Sequence, residues 1–366
     1  MGAPHPIVNS VVNFLSPWEQ YYPNGASGFF MAYRFKLHEP IDEGIRRIVG
    51  EQVLRASQEL DCSGEVPPTA IHNTRKAIKR LRALLRLARS AFGARTYHAR
   101  DASLRDIAAA LSSTRDDDVI KETIGKLETH FGDDGVRILA PLQSQVRSAG
   151  VKPRFKIDQA REICERLARE NELFAKLDFH ADLSTLERGL QKSYGRAVKA
   201  LAGADDQPED EAFHDLRKTV QCHWRQMALM SRGWPEYFKV RVDAARDLSQ
   251  ILGDEHDLSM LRTYTAAQKD LRAGSRAPIA RMARARQEEL RHEALSRAKL
   301  LLPEPAKPFA KRMTAYWATG RDLEATVGRD QRKLDSKNLP LLAFRDSGVP
   351  TFIPKAVDDQ RSKRRA

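Results

Sequence analysis

Residues 71–89, IHNTRKAIKRLRALLRLAR, constrain the fold more than any other stretch of the chain. Ile71, Thr74, Ile78, Leu81, Leu85 and Ala88 recur at three- and four-residue intervals, the spacing that lines one face of an α-helix. On the same helix His72, Arg75, Lys79, Arg82 and Arg86 fall within an arc of about 80° on another face, with Lys76 at its edge. From Val66 to Arg100 there are nine Lys and Arg and no Asp or Glu. A solvated helix usually mixes signs, because opposite charges one turn apart stabilise it and like charges weaken it. A helix that tolerates this repulsion points to a polyanion that neutralises it. The competing reading is that acidic residues on neighbouring helices pair with the face.

The rest of the chain shares the basic character. It has 366 residues, 62 Lys and Arg against 49 Asp and Glu, and a formal net charge of +13. Such a surplus speaks about anionic partners and not about fold. Cys62, Cys164 and Cys222 lie far apart without CxxC spacing, so a reducing, cytoplasmic setting is expected. The N-terminus shows no basic and apolar signal pattern. No stretch approaches the ~18 apolar residues of a membrane span, and mean hydropathy is −0.54.

Residues 1–35 read as a Pro-, Gly- and aromatic-rich lead-in with a short strand at 29–37. Amphipathic helices are expected at 41–60, 97–113 and 116–131, then a shorter one carrying Val136, Leu139, Leu142 and Val146. One or two helices cover 156–202, and others follow at 208–231, 236–252, 255–273, 278–301 and 307–328. Pro67 and Pro68 break the chain before the basic helix, leaving Thr69 as its expected cap. Residues 331–366 form a Pro-punctuated basic tail. No alternating strand series is present, so the expected fold class is all-α.

The chain also repeats itself. IHNTRKAIKRLRALLRLAR aligns with FHDLRKTVQCHWRQMALMS at 213–231, matching His72, Arg75 and Lys76 to His214, Arg217 and Lys218 at a constant offset of 142. LSSTRDDDV at 111–119 aligns with LGDEHDLSM at 252–260, each read as a leucine followed by a polar turn. The halves divide as 36–202 and 203–330, with Gly203–Pro208 as an acidic linker. Two bundles of about four or more helices, related by a pseudo-twofold axis, would bring the two His-bearing helices to one basic groove or pore.

The two HxxRK helices, the LSSTRDDDV and LGDEHDL segments and the opening YRFKLHEPIDEGI together resemble the CHAD domain, the histidine-bearing α-helical domain, over roughly residues 32–330. The resemblance implies two helical bundles around a positively charged centre that binds inorganic polyphosphate, without catalysis. The family's domain is sometimes fused to a triphosphate-cleaving domain, for which residues 1–31 leave no room. Carried over residue by residue, the first motif supplies His72, Arg75, Lys76, Lys79 and Arg82, and the same face adds Arg86. The second supplies His214, Arg217, Lys218 and Arg225, and YGR upstream adds Tyr194 and Arg196. Gln221, Trp224 and Ala228 stand where the first helix has Lys79, Arg82 and Arg86, so the second helix is expected to contribute less. Lys218 and Arg225 are expected to lie off the core stripe. The family's partner implies a cytoplasmic location, associated with polyphosphate granules.

Phosphate chains offer charge and no bases, so a receptor needs forked Arg donors and mobile Lys charges in a row. Protonated His adds donors, and dense anionic charge raises its pKa, so affinity should rise from about pH 8 to pH 6. Two alternatives remain. Nucleic acid could use the same basic helices, although few aromatics or Asn and Gln accompany them to stack on or read bases. An HD-type metal phosphohydrolase would use the dyads His214-Asp215 and His256-Asp257. The first half lacks such dyads, having Asn73 after His72 and Arg115 before Asp116. Asp116 and Asp257 are therefore expected to cap helices or orient Arg side chains. No cofactor and no metal are expected.

Overall fold

The computed structural model describes residues 33–61, 65–111, 116–148, 155–269, 271–336, 343–344 and 350–351. Ten helices account for most of them: α1 (Ile41–Leu60), α2 (Pro68–Leu87), α3 (Arg89–Ala110), α4 (Asp116–Ser148), α5 (Ile157–Lys176), α6 (Leu183–Asp206), α7 (Asp210–Leu229), α8 (Pro235–Ala267), α9 (Ala273–Leu301) and α10 (Ala306–Ser336). The extended pieces among the described residues are Ala343–Phe344 and Pro350–Thr351, paired antiparallel. The fold is all-α.

Local chemistry sets the basic helix. Pro68 occupies the first helical position of α2, where a missing N–H costs no hydrogen bond, and the preceding Pro67 is extended. Thr69, expected as the cap, lies inside the first turn, and no side chain caps this end. The apolar stripe is buried as its spacing implies: Ile78, Leu81, Leu85 and Ala88 are all at most 3 % exposed.

The helices expected at 116–131 and around Val136–Val146 both form and meet within α4 at a kink at Gly132, whose φ of 59° favours glycine. Two boundaries differ from the sequence reading. The helices expected at 236–252 and 255–273 form the single 33-residue α8, so His256-Asp257 is helical and not a polar turn. Leu252, Gly253, Glu255 and Leu258 are buried there, and this packing outweighs a helix cost of up to ~1 kcal/mol for glycine. Gly203–Asp206, expected as a linker, completes α6, leaving only a short connection to α7. Of the strand expected at 29–37, residues 33–37 are not extended in a sheet, and 29–32 lie outside the described residues. The rest of the lead-in, Cys62, Arg115, the Asp116 side chain and most of the tail also lie outside them.

α2 packs against α1, α3, α6 and α7, while α6 packs against α7 and α10. The main core runs through all these helices, from Phe35 and Ile45 to Phe213, Phe238 and Trp317. Where α6 crosses α2, the Cα of Gly189 lies so close that a Cβ there would stand 1.8 Å from the Leu87 carbonyl oxygen. A smaller core joins α4 to the C-terminal half of α8 and to α9, through Ile120, Ile124, Leu142, Leu261 and Ile279. Gln226 of α7 ties the central helices together, donating to the Ala83 carbonyl of α2 at 3.3 Å and the Ser193 hydroxyl of α6 at 3.0 Å.

Candidate functional site

The packing of α2 against α7 leaves a cleft of about 570 Å³, closed at its sides by α3 and α8. Arg75, Lys79, Arg82 and Arg86 of α2 and Arg105 of α3 line one wall, and Arg217, Lys218 and Arg225 of α7 the other. His214 and His256 join them, and among the described residues Asp257 is the one lining carboxylate. The cations stay together because the helices carrying them are fixed by apolar packing on their opposite faces. Their mutual repulsion is therefore borne by the core.

An acidic side chain of α3 pairs with the α2 wall. Asp101 of α3 receives hydrogen bonds from Nε (2.9 Å) and Nη2 (3.4 Å) of Arg82, and Arg86 and Arg105 approach it at 3.9 and 3.8 Å. Burial alone would raise the Asp101 carboxyl, but the Arg82 bonds and the three guanidinium charges hold it below its ordinary value. A single carboxylate thus gathers three arginines, offsets one of their charges and leaves a net surplus facing the cleft. Arg75 is held differently, donating to the Leu111 carbonyl at the end of α3 at 3.1 Å.

On the opposite wall the His214 and His256 rings stack at 4.6 Å between centroids. Burial lowers the His214 pKa, with help from Lys218 and Arg217. Burial, Arg217 and His214 itself take His256 down to about 4. The His214 Nδ1 is buried without a hydrogen-bond partner among the described residues. Both rings are neutral at pH 7 in the ligand-free protein, so the affinity gain expected between pH 8 and 6 moves to lower pH. A histidine depressed in the folded state contributes stability that is full above its unfolded value near 6.5 and lost as pH falls towards the folded one. Thermal melts should show ligand-free stability declining from about pH 6.5 towards pH 4, less so in His256→Asn. The buried His223, also well below its ordinary value, acts in the same direction.

The other residues singled out in the sequence divide. His72 is half-buried and Lys76 exposed on α2, and neither is among the residues lining the cleft. Arg196 is exposed and lines a neighbouring cleft. Tyr194 does not fit a phosphate-binding role: it is 1 % exposed and stacked on Phe309 of α10 at 3.9 Å. Arg225 lines the cleft but is not off the core. It is 6 % exposed, donates to the Gln221 carbonyl and lies 4.1 Å over the Trp224 ring, and burial lowers its pKa to about 10. Asp215 of the first suspected dyad is paired with Lys218 at 3.0 Å. Among the described residues no group of three or more His, Cys, Asp or Glu is placed to hold a metal ion. Arg105 and Asp101 were not picked out in the sequence. The one available signal was their four-residue spacing on a helix next to the acid-free stretch.

Comparison with known proteins agrees with this architecture. The structure is similar to PptA from Streptomyces chartreusis, with a TM-score of 0.50 and 14% sequence identity, over 72% of this chain and 100% of that one. At that identity the likeness bears on the fold alone. No curated protein matches the chain. No helix among the described residues is long and apolar enough to cross a membrane. The family model of the CHAD domain matches residues 51–266, more than half of the sequence and including both basic helices, and the chain belongs to that family, which is associated with polyphosphate binding.

Proposed function

We propose that the cleft between α2 and α7 binds inorganic polyphosphate, and that the protein is a binding module without catalytic turnover. The observation that carries this reading is the charge of the lining: cations from both helices converge on one space, with Asp257 as the only lining carboxylate among the described residues. Forked guanidinium donors and lysine ammonium groups match the oxygens of a flexible phosphate chain. Among the described residues the lining has no Phe, Tyr or Trp on which a base could stack and one amide, Gln221, to read a base edge, which favours polyphosphate over nucleic acid. The corresponding location is the cytoplasm, at polyphosphate stores.

Isothermal titration tests the proposal. A flexible polyanion releases roughly 0.7 counterions per phosphate contact, so about six contacts should weaken binding a few hundredfold between 50 and 200 mM salt. A flat salt response would mean that the cleft recognises something other than charge. Incubation with Mg²⁺ or Mn²⁺ should release no phosphate. Release abolished by His256→Ala or Asp257→Ala would replace the binding module with a hydrolase.

A further inference from the structure

The cations do not stop at the cleft. A second cleft of about 510 Å³ shares Arg86, Lys218 and Cys222 with the first and adds Arg196 and Lys199 of α6. From there Arg188, Lys192, Arg196 and Lys199 are all exposed, and their spacing of four, four and three places them on one face of α6. At 1.5 Å per residue this face runs for about 16 Å. Arg89, at the start of α3, stands beside it: Arg89 and Arg196 both depress the pKa of Lys192, Arg89 most of all.

These five residues differ from the charge-paired cations of the protein. Arg100, Lys126, Lys239, Arg297 and Lys299 each meet a carboxylate at 2.7–2.9 Å. Among the described residues, none of Arg89, Arg188, Lys192, Arg196 and Lys199 is in an ion pair. Arg188 donates to the hydroxyls of Ser90, Ser184 and Thr185, which hold its guanidinium in place without offsetting its charge. Arg89 lies 4.3 Å over the Tyr97 ring and 3.4 Å from the His98 ring nitrogen, and neither partner is a carboxylate. A row of five cations with no ion pair among the described residues, with Asp182 near one end and Glu209 and Asp215 in the second cleft at the other, costs stability through self-repulsion, and here the row is an extension of the candidate binding cleft.

Resting on the polyphosphate reading above, we infer that the outer face of α6 is a second binding track. It takes the part of a phosphate chain that leaves the first cleft past Arg86 and Lys218. Short chains fill the first cleft alone. Longer ones gain the contacts of Arg196, Lys199, Lys192 and Arg89 as intramolecular contacts, at the high effective concentration set by the tethered chain.

The test is titration of wild type and of the Lys192→Gln/Lys199→Gln variant with chains of about 8 and about 60 phosphates, the first comparable to and the second far longer than the ~16 Å that Arg75 to Arg86 span along α2. Both substituted residues are exposed, and circular dichroism checks that the fold is kept. The variant should lose roughly tenfold on the long chain and under twofold on the short one, and its long-chain salt slope should fall by between one and two units. The statistical advantage of a long chain, which offers more registers, is the same in both proteins and cancels. Equal losses on both lengths, or no loss on either, overturn the track. A loss confined to a single-stranded oligonucleotide of equal charge would assign the face to nucleic acid and also overturn it. If wild type does not bind the short chain, the cleft reading itself fails, and the track that depends on it goes too.

Discussion

Reversing Lys79 and Lys218 to Glu is expected to weaken polyphosphate binding at least a hundredfold while the protein stays folded. The two lysines face the cleft from opposite walls, so each reversal removes a charge-assisted contact worth about 1.5–3 kcal/mol and adds repulsion. Neither is buried, unlike Arg225, and neither is clamped to Asp101 as Arg82 is. Arg82→Glu would set two carboxylates against each other, and a loss of binding there would be hard to separate from a loss of structure. The single variants should differ. The Lys218 side chain is 52% exposed and shared with Asp215 and Glu211 at 3.0 and 3.6 Å, so part of its charge is already offset. Lys79 is half-buried and so less screened by water, and Lys79→Glu should cost more than Lys218→Glu, which titration of each variant measures. Equal losses would place the ligand midway between α2 and α7.

The second large effect falls on the scaffold. Gly189→Ala should destabilise the protein by about 1–3 kcal/mol or more, as overpacking a closed contact does, and urea denaturation measures it. The added Cβ would meet the backbone of Leu87, its carbonyl oxygen at 1.8 Å and its Cα at 2.8 Å, and no rotamer change relieves a backbone clash. α6 would have to move off α2, and with it the anchor of Gln226 between Ser193 and Ala83. The same substitution at Gly125, inside α4 with nothing within 4 Å of the added carbon, should instead stabilise by about 0.5–1 kcal/mol through helix propensity. Stabilisation at both positions would show that helix propensity and not the α2–α6 approach governs the response.

The α2 face was readable because both of its signals are local: the buried stripe and the cationic arc repeat within two or three turns. Four of the five residues on that arc line the cleft. What the sequence misled on depended on distant packing. LGDEHDL carries Gly and Asp, which favour turns in isolation, but α7 and α9 pack against α8 and hold the segment helical. Tyr194 sits among basic residues in YGR, which suggested a rim, while the ring that buries it belongs to Phe309 of α10. Arg225 looked like a surface cation because charge normally keeps to water, yet stacking on Trp224 and a carbonyl bond let it lie inside. The Asp101 clamp joins residues 19 apart across the crossing of α2 and α3. No spacing rule for a single helix could have paired them.

Competition between polyphosphate and nucleic acid tests most directly whether the cleft is built for a phosphate chain. A labelled single-stranded oligonucleotide, bound at low salt, should be displaced by polyphosphate at a lower total phosphate concentration than by unlabelled oligonucleotide. Changing the base sequence should leave the midpoint unmoved, and Lys79→Glu/Lys218→Glu should weaken both ligands. An oligonucleotide that resists displacement, or whose retention depends on its bases, would contradict polyphosphate binding and make this a nucleic-acid-binding protein.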